Sequence, residues 1–145
     1  MKILVAIDDS KCSEAAVNGV ANYLKAQTAE VRILHVLPSM VFSTLPQTPR
    51  GYAPEMEDLT KQAHALVDKY AEQLRAGGYQ VDSTVESGDA CDTIIDIAAQ
   101  WQADLIVLGS HGPKGVGRLL LGSVAYAVVR RATCSVLIFR LPASK

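Results

Sequence analysis

The sequence predicts an α/β fold, a three-layer α/β/α sandwich built on a five-stranded parallel sheet. Three observations predict it. Apolar segments read as strands and amphipathic helices in strict alternation, β-α-β-α-β-α-β-α-β, and strands separated by helices pair in parallel through right-handed crossovers. The segments Ile3 to Ile7 and Ala103 to Leu108 are near-continuous apolar runs, the pattern of strands buried on both faces. The chain of 145 residues, 49% apolar and 20% charged, is one domain's worth of globular protein, and no linker or internal repeat divides 1–145.

Each element follows from local pattern. Ile3 to Ile7 is the first strand, and Asp9 or Ser10 caps a helix running to about Ala26 with Ala16, Val20, Tyr23 and Leu24 facing inward. Val31 to Leu37 is the second strand. Pro38 to Pro54 holds four prolines and Gly51, so a long irregular connection is expected there, a flap or an ordered surface loop. Met56, Leu59, Ala63, Leu66, Val67, Tyr70 and Leu74 mark a long amphipathic helix that stops at Gly77-Gly78. Tyr79 to Glu86 alternates as a half-exposed strand. Asp89 then caps a helix carrying Ile94, Ile95, Ile97, Ala98 and Trp101. The Ala103 strand ends at Gly109, and beyond the next loop Leu120, Leu121, Val124, Ala125 and Val128 recur at helical spacing. Arg130 and Arg131 complement the dipole in that helix's last turn, and Cys134 to Arg140 is the final strand.

The joint between the fourth strand and the fourth helix carries the chemistry. It holds Gly109-Ser110-His111-Gly112 and, after nine residues, Gly122-Ser123. In open α/β sheets the ligand crevice lies beyond the carboxyl ends of the strands, and a helix N-terminus offers unpaired N–H donors and a positive dipole end, a setting for phosphate. Two common phosphate motifs are excluded by inspection: Gly112 to Gly117 is followed by Arg118-Leu119 where a Walker A loop needs Lys and Ser or Thr, and Asp8-Asp9-Ser10-Lys11 stands where a dinucleotide fingerprint needs its glycines.

Composition removes other classes. A net charge of −1 argues against a nucleic-acid or membrane-surface binder. Cys12, Cys91 and Cys134 are odd in number and scattered, which fits neither a disulfide framework nor a metal cluster, so a reducing, cytoplasmic location is expected. The N-terminal apolar run is too short for a signal peptide, and no stretch reaches the ~18 apolar residues of a membrane span. His35, His64 and His111 show no metal-ligand spacing; His64 reads as solvated and His35 as structural. Cys91, near a helix N-terminus, reads as a small inert residue.

The chain resembles the universal stress protein family, of the ATP-binding type. The residues that carry the resemblance are Leu4-Val5-Ala6-Ile7-Asp8, Leu34-His35-Val36, Gly88-Asp89-Ala90, the run Asp104 to Gly112, and Leu119 to Ala125. Gly109, Gly112, Gly122 and Ser123 fit that family's signature Gly-x2-Gly-x9-Gly-Ser/Thr without a gap. The resemblance implies an adenine nucleotide alpha hydrolase-like, Rossmann-like sandwich of strand order 3-2-1-4-5, binding ATP, with Mg2+ alongside and AMP or ADP as alternatives. It implies Asp8 beside the adenosine, Ala6 and Ile7 in an apolar wall, Val36 against adenine, Gly109 near ribose, and the backbone around His111, Gly112, Gly122, Ser123 and Val124 on the phosphates. The Ser123 hydroxyl would donate to a phosphate oxygen or cap its helix, and Lys114 or Arg118 could reach a charge. In that strand order the last strand is an edge, so Val136-Leu137-Ile138-Phe139 would be an open apolar edge, and pairing of Cys134 to Arg140 with a two-fold mate implies a homodimer. No group resembles the machinery of rapid ATP hydrolysis, so the expected role is a nucleotide-dependent stress-response sensor acting through unidentified protein partners, the alternatives being a dimeric interaction module that works without nucleotide, or a weak ATPase. A receiver-domain reading of Asp8-Asp9 fails, because the third strand ends Glu86-Ser87-Gly88 without an acceptor aspartate and no lysine closes the fifth.

Overall fold

A computed structural model describes residues 1–39, 52–112 and 120–142. The elements are β1 (Lys2–Ile7), α1 (Lys11–Tyr23), a 3₁₀ turn (Ala26–Thr28), β2 (Glu30–Leu37), α2 (Tyr52–Ala76), β3 (Gln80–Ser87), α3 (Ala90–Trp101), β4 (Leu105–Gly109), α4 (Ser123–Arg131) and β5 (Ser135–Phe139). All pairings are parallel and the order is β3-β2-β1-β4-β5.

Strand alternation splits the core into two layers. Ile3, Val5, Ile7, Val31, Ile33 and Val107 pack on one side with Ala16, Val17 and Val20 of α1 and Val67, Tyr70, Ala71 and Leu74 of α2. Leu4, Ala6, Leu34, Ile106 and Leu108 pack on the other with Ile94 and Ala98 of α3 and Ala125 and Val128 of α4. Two helices are capped by side chains: Ser10, whose hydroxyl accepts from the Ser13 N–H at 3.2 Å, caps α1, and Asp89, which accepts from the Asp92 N–H at 2.8 Å, caps α3. Arg131 holds Asp92 at 2.6 Å and lies 3.5 Å from the buried Cys91 sulfur, tying the end of α4 to the start of α3.

Several boundaries depart from the pattern reading. The first helix stops at Tyr23 rather than near Ala26: its C-cap Leu24 is already extended, with φ −108° and ψ 158°, and Tyr79, from beyond α2, shares its one hydroxyl proton between the Val20 carbonyl at 2.8 Å and the Leu24 carbonyl at 2.6 Å. Tyr23 is 77% exposed instead of inward, and its ring stacks on Phe139 at 6.1 Å. The Phe139 ring occupies the place that a Cβ on Gly19 would take, so the glycine admits β5's last aromatic beneath Tyr23. The helix expected from Met56 begins at Tyr52, with Pro54 in the first turn, where no intrahelical donor is required. Leu120, read as continuing the helical stripe, is 74% exposed ahead of α4.

Among the described residues the edge formed by β5 is open in its backbone rather than in its side chains. Val136 and Ile138 pack toward the α3/α4 layer, and Leu137 and Phe139 toward the other. The Phe139 carbonyl accepts from the Ser110 N–H at 2.9 Å, which turns the N–H and C=O groups of Val136 and Ile138 outward. Most of the connection Pro38 to Pro54, and residues 113–119 of the next loop, with Lys114 and Arg118, lie outside the described residues. No helix among the described residues is long and apolar enough to cross a membrane.

Tyr79→Phe is expected to lower stability by about 1–2 kcal/mol, since the Leu24 carbonyl loses its hydroxyl donor and the Val20 carbonyl keeps only the Leu24 N–H, while the ring still fills its site. Urea unfolding at neutral pH measures it, and an unchanged midpoint would mean that α1 needs no such cap. Burial also holds the Tyr79 phenol above its ordinary value of 10.0. The stability tied to that proton is therefore complete below pH 10 and declines as the pH rises further.

Candidate functional site

β1 and β4 lie side by side, but the chain leaves β1 toward α1 on one face and leaves β4 toward α4 on the other. A crevice therefore opens where their carboxyl ends part, the switch point at which such sheets take ligands. Asp8 stands on the β1 side. Its N–H donates to the Ser13 Oγ at 2.8 Å, and the Ser13 hydroxyl donates back to Asp8 Oδ1 at 2.8 Å. The second oxygen, Oδ2, faces Gly112, where a Cβ would come within 3.0 Å of it. Glycine at 112 thus leaves the carboxylate uncovered.

On the β4 side the organising residue is Ser110, 3% exposed, which sequence reasoning did not single out. Its N–H donates to the Phe139 carbonyl, its own carbonyl accepts from the Gly122 N–H at 2.7 Å, and its hydroxyl meets Cys12 Sγ at 3.7 Å and His111 Nδ1 at 3.1 Å. One serine joins β4 to β5, to α1 and to the entrance of α4. Its signal in the sequence was its place directly after an apolar strand and its terminal glycine. Ser13 was also missed, although Asp8-x-Ser10-x-x-Ser13 has the spacing of a capped first turn.

His111 shares Ser110's hydroxyl through Nδ1, while its Nε2 is buried and has no hydrogen-bond partner among the described residues. A buried polar nitrogen without a partner costs about 1–3 kcal/mol, so a ligand atom that reached it would recover that cost. Gly122 is the N-cap of α4 and has no side chain to satisfy the first turn. The first intrahelical bond runs from the Tyr126 N–H to the Gly122 carbonyl at 2.9 Å, so the N–H groups of Ser123, Val124 and Ala125 lack intrahelical acceptors. They form the positive end of the α4 dipole.

Three expectations change. The Gly122 N–H is taken by the Ser110 carbonyl, which leaves the N–H groups of Ser123, Val124 and Ala125 as the open donors of this helix end. Ser123 does not cap α4: it is already the first helical residue, and the capping position before it is Gly122. Ile7 does not share a wall with Ala6, because consecutive strand residues face opposite ways. Ala6 and Val36 pack in the α3/α4 layer, while Ile7 packs in the α1/α2 layer. Ile7 contributes its carbonyl instead, which accepts from His35 Nδ1 at 2.8 Å and so fixes the proton on that ring nitrogen.

The glycine at 109 has a packing cause. A Cβ there would lie 2.6 Å from the Cys12 Cβ and 2.8 Å from the Cys12 carbonyl oxygen, so α1 rests directly on the end of β4. Asp8, Asp9 and Glu14 make the α1 side of the mouth acidic: after burial, Glu14, Asp9 and Asp8 in that order hold the Tyr70 phenol above 10.0. The crevice therefore has an acidic lip on α1 and a positive lip on α4.

Comparison with known proteins matches residues 1–140 to the model of the universal stress protein family. The universal stress protein YxiE of Bacillus subtilis is 33% identical over 145 residues, covering 96% of this chain and 98% of that one. Among solved structures, protein MJ0577 superposes with a TM-score of 0.82 at 27% identity, covering 99% of this chain and 97% of that one. The universal stress protein UspA from Lactobacillus plantarum superposes at 0.77 with 26% identity, covering 97% of each chain. Two neighbours below a quarter identity, likenesses of fold alone, are complexes: an Arabidopsis thaliana universal stress protein family member with AMP bound (18%, TM-score 0.73, 99% of this chain and 93% of that one) and an Archaeoglobus fulgidus universal stress protein with dAMP (22%, 0.67, 96% and 97%). The sandwich in this strand order and the match over nearly its whole length place the chain in the universal stress protein family.

Proposed function

We propose that this protein binds an adenine nucleotide, ATP in the first instance, in the crevice between β1 and β4, and works as a nucleotide-dependent switch through protein partners. The observation that carries the reading is the buried Nε2 of His111, without a partner among the described residues, on the residue between Ser110, which holds the entrance of α4, and Gly112, the glycine that leaves Asp8 uncovered. The residues present fit such a group. Val36 and Ala6 supply the apolar side on which a base can rest, Asp8 Oδ2 is an acceptor for a hydroxyl or amine, and Gly109 lies under the sugar. His111, Gly112, Ser123 and Val124 suit the phosphates. A triphosphate's charge is supported by the α4 dipole and opposed by Asp8, Asp9 and Glu14, which favours entry of the nucleotide with Mg2+.

Neighbouring folds described with AMP and dAMP support the adenine class and leave ADP and AMP as alternatives. Hydrolysis is absent or slow in this reading, and the cytoplasm, where ATP is plentiful, is the matching location. The test is to heat-denature the purified protein, identify any released nucleotide by anion-exchange chromatography with mass detection, and titrate ATP by calorimetry. Near-stoichiometric nucleotide, or micromolar binding worth about 8 kcal/mol, supports the proposal. Neither would leave an interaction module that works without nucleotide.

Homodimerisation through β5 belongs to the same proposal. The outward N–H and C=O groups of Val136 and Ile138 can pair antiparallel with a two-fold mate. Because both side chains are half-buried, a charge there would disturb the core, whereas Ile138→Pro removes one outward donor. Light scattering is expected to show monomers for Ile138→Pro with the far-UV spectrum kept; an unchanged dimer mass would move the interface elsewhere.

A further inference from the structure

The sheet has a second edge, at β3, which the nucleotide reading does not use. The Gly88 N–H donates inward to the Leu37 carbonyl at 2.9 Å, so the even-numbered residues of β3 turn their backbone groups toward β2. Val81, Ser83, Val85 and Ser87 therefore present theirs to the outside. The lower half of this edge is covered: Arg75 donates to the Val81 carbonyl at 3.0 Å, and Asp82 Oδ1 accepts from the Ser83 N–H at 3.1 Å. The upper half is not. The Ser83 carbonyl, both groups of Val85 and the Ser87 N–H form an uninterrupted stretch without a partner among the described residues.

The side chains beside this stretch have a defined chemistry. Next to it lies an open groove of about 430 Å³ lined by Thr84, Glu86, Ile97, Gln100 and Trp101, with Arg32 and Asp82 at its lower end. β2 contributes Leu34 and Val36 to the core layer beneath α3 and α4, whereas no β3 residue belongs to it, so this face of the edge strand is polar. Asp82 and Glu86 are exposed on the strand, and Asp89 and Asp96 are exposed along the α3 row Asp89, Thr93, Asp96, Gln100. The cation in the groove, Arg32, is engaged by Asp82 at 3.1 Å and lies over the Trp101 ring at 4.6 Å. Glu86 accepts from Thr84 through Oε1, leaving its second oxygen open. On the opposite face Val85 is half-buried against the α2 layer.

We propose that the β3 edge from Ser83 to Ser87 docks an extended, basic segment of a partner protein, added as a sixth strand. Backbone bonds to Ser83, Val85 and Ser87 set its position, and strand alternation sets its sequence. Every second residue is Lys or Arg, directed to Glu86 and Asp96 over the groove, and the residues between are apolar and continue the face of Val85. Acidic strands are rejected by like charge.

The probe is the peptide acetyl-Lys-Val-Lys-Val-Lys-Val-amide, read by amide hydrogen exchange and chemical-shift mapping on the full chain. Saturable binding is expected, with the Val85 and Ser87 amides protected about 10-fold or more. Val85→Pro, which removes an outward N–H, abolishes it, and Glu86→Lys weakens it about fivefold or more. A peptide N-methylated at alternate residues, tested on the unaltered protein, loses the protection without any protein variant. Protection at Val136 and Ile138 instead, equal affinity of the N-methylated peptide, or no saturation by about 1 mM would each overturn the proposal. ATP affinity stays unchanged in Glu86→Lys, so failure here is separable from failure of the nucleotide reading.

Discussion

Gly122→Asp is expected to lower ATP affinity by about 100-fold or more, roughly 2.7 kcal/mol, while leaving the melting temperature within about 3 °C of the parent. Two effects act in one direction on the ligand. The carboxylate puts a negative charge where phosphates would sit, and as an N-cap it accepts from the first-turn N–H groups of α4 that the phosphates need. On stability they oppose each other. The backbone at Gly122, with φ −61° and ψ 158°, accommodates an L-residue, and capping stabilises α4. The new Cβ would come within 3.0 Å of the Ser110 carbonyl oxygen and 3.2 Å of the His111 Cα, a tight fit that requires a shift of a few tenths of an ångström. Calorimetric titration beside a thermal melt separates the two. Equal ATP affinity in a folded Gly122→Asp protein would remove the α4 terminus from the site.

Gly109→Ala is expected to be the most damaging single-methyl change, costing about 3 kcal/mol. The contact is with main chain as much as side chain: the added Cβ would stand 2.7 Å from the Cys12 carbonyl carbon and 2.8 Å from its oxygen. Backbone in the first turn of α1 cannot yield as a side-chain tip does, so α1 must lift from β4 and carry the Asp8–Ser13 hydrogen bonds with it. Nucleotide affinity should fall together with stability. Cys12→Ala would not rescue it, since Cβ and carbonyl remain in place. Urea midpoints for Gly109→Ala, Cys12→Ala and the double variant test this; a full rescue would show that the sulfur, not the helix backbone, sets the clearance.

Much of the fold was legible because its determinants are local. Continuous apolar runs marked β1 and β4, three- and four-residue spacing marked the helices, and Ser10 and Asp89 announced two helix starts by side-chain chemistry that operates within four residues. The glycines of the site were legible as a motif, but not the reasons for them. Gly112 is small toward Asp8, Gly122 toward Ser110, and Gly109 toward Cys12, each partner coming from a distant part of the chain except for Ser110. The misread positions share that cause. Tyr23 had the spacing of an inward residue, but Phe139 fills the space over Gly19; Ile7 had the composition of a ligand wall, but strand alternation turned it to the opposite layer from Ala6.

The sequence by itself determined the order of elements, the parallel sheet, the buried strands and the switch point between β1 and β4, because periodicity, capping and crossover geometry act over short stretches of chain. Only the tertiary structure decided, among the described residues, which backbone donors remain open, which oxygen of Asp8 faces Gly112, that His111 Nε2 is left without a partner, and which half of the β3 edge is uncovered. Those properties depend on hydrogen bonds between residues far apart in the chain, and no local pattern of residues encodes whether a given donor has already been taken.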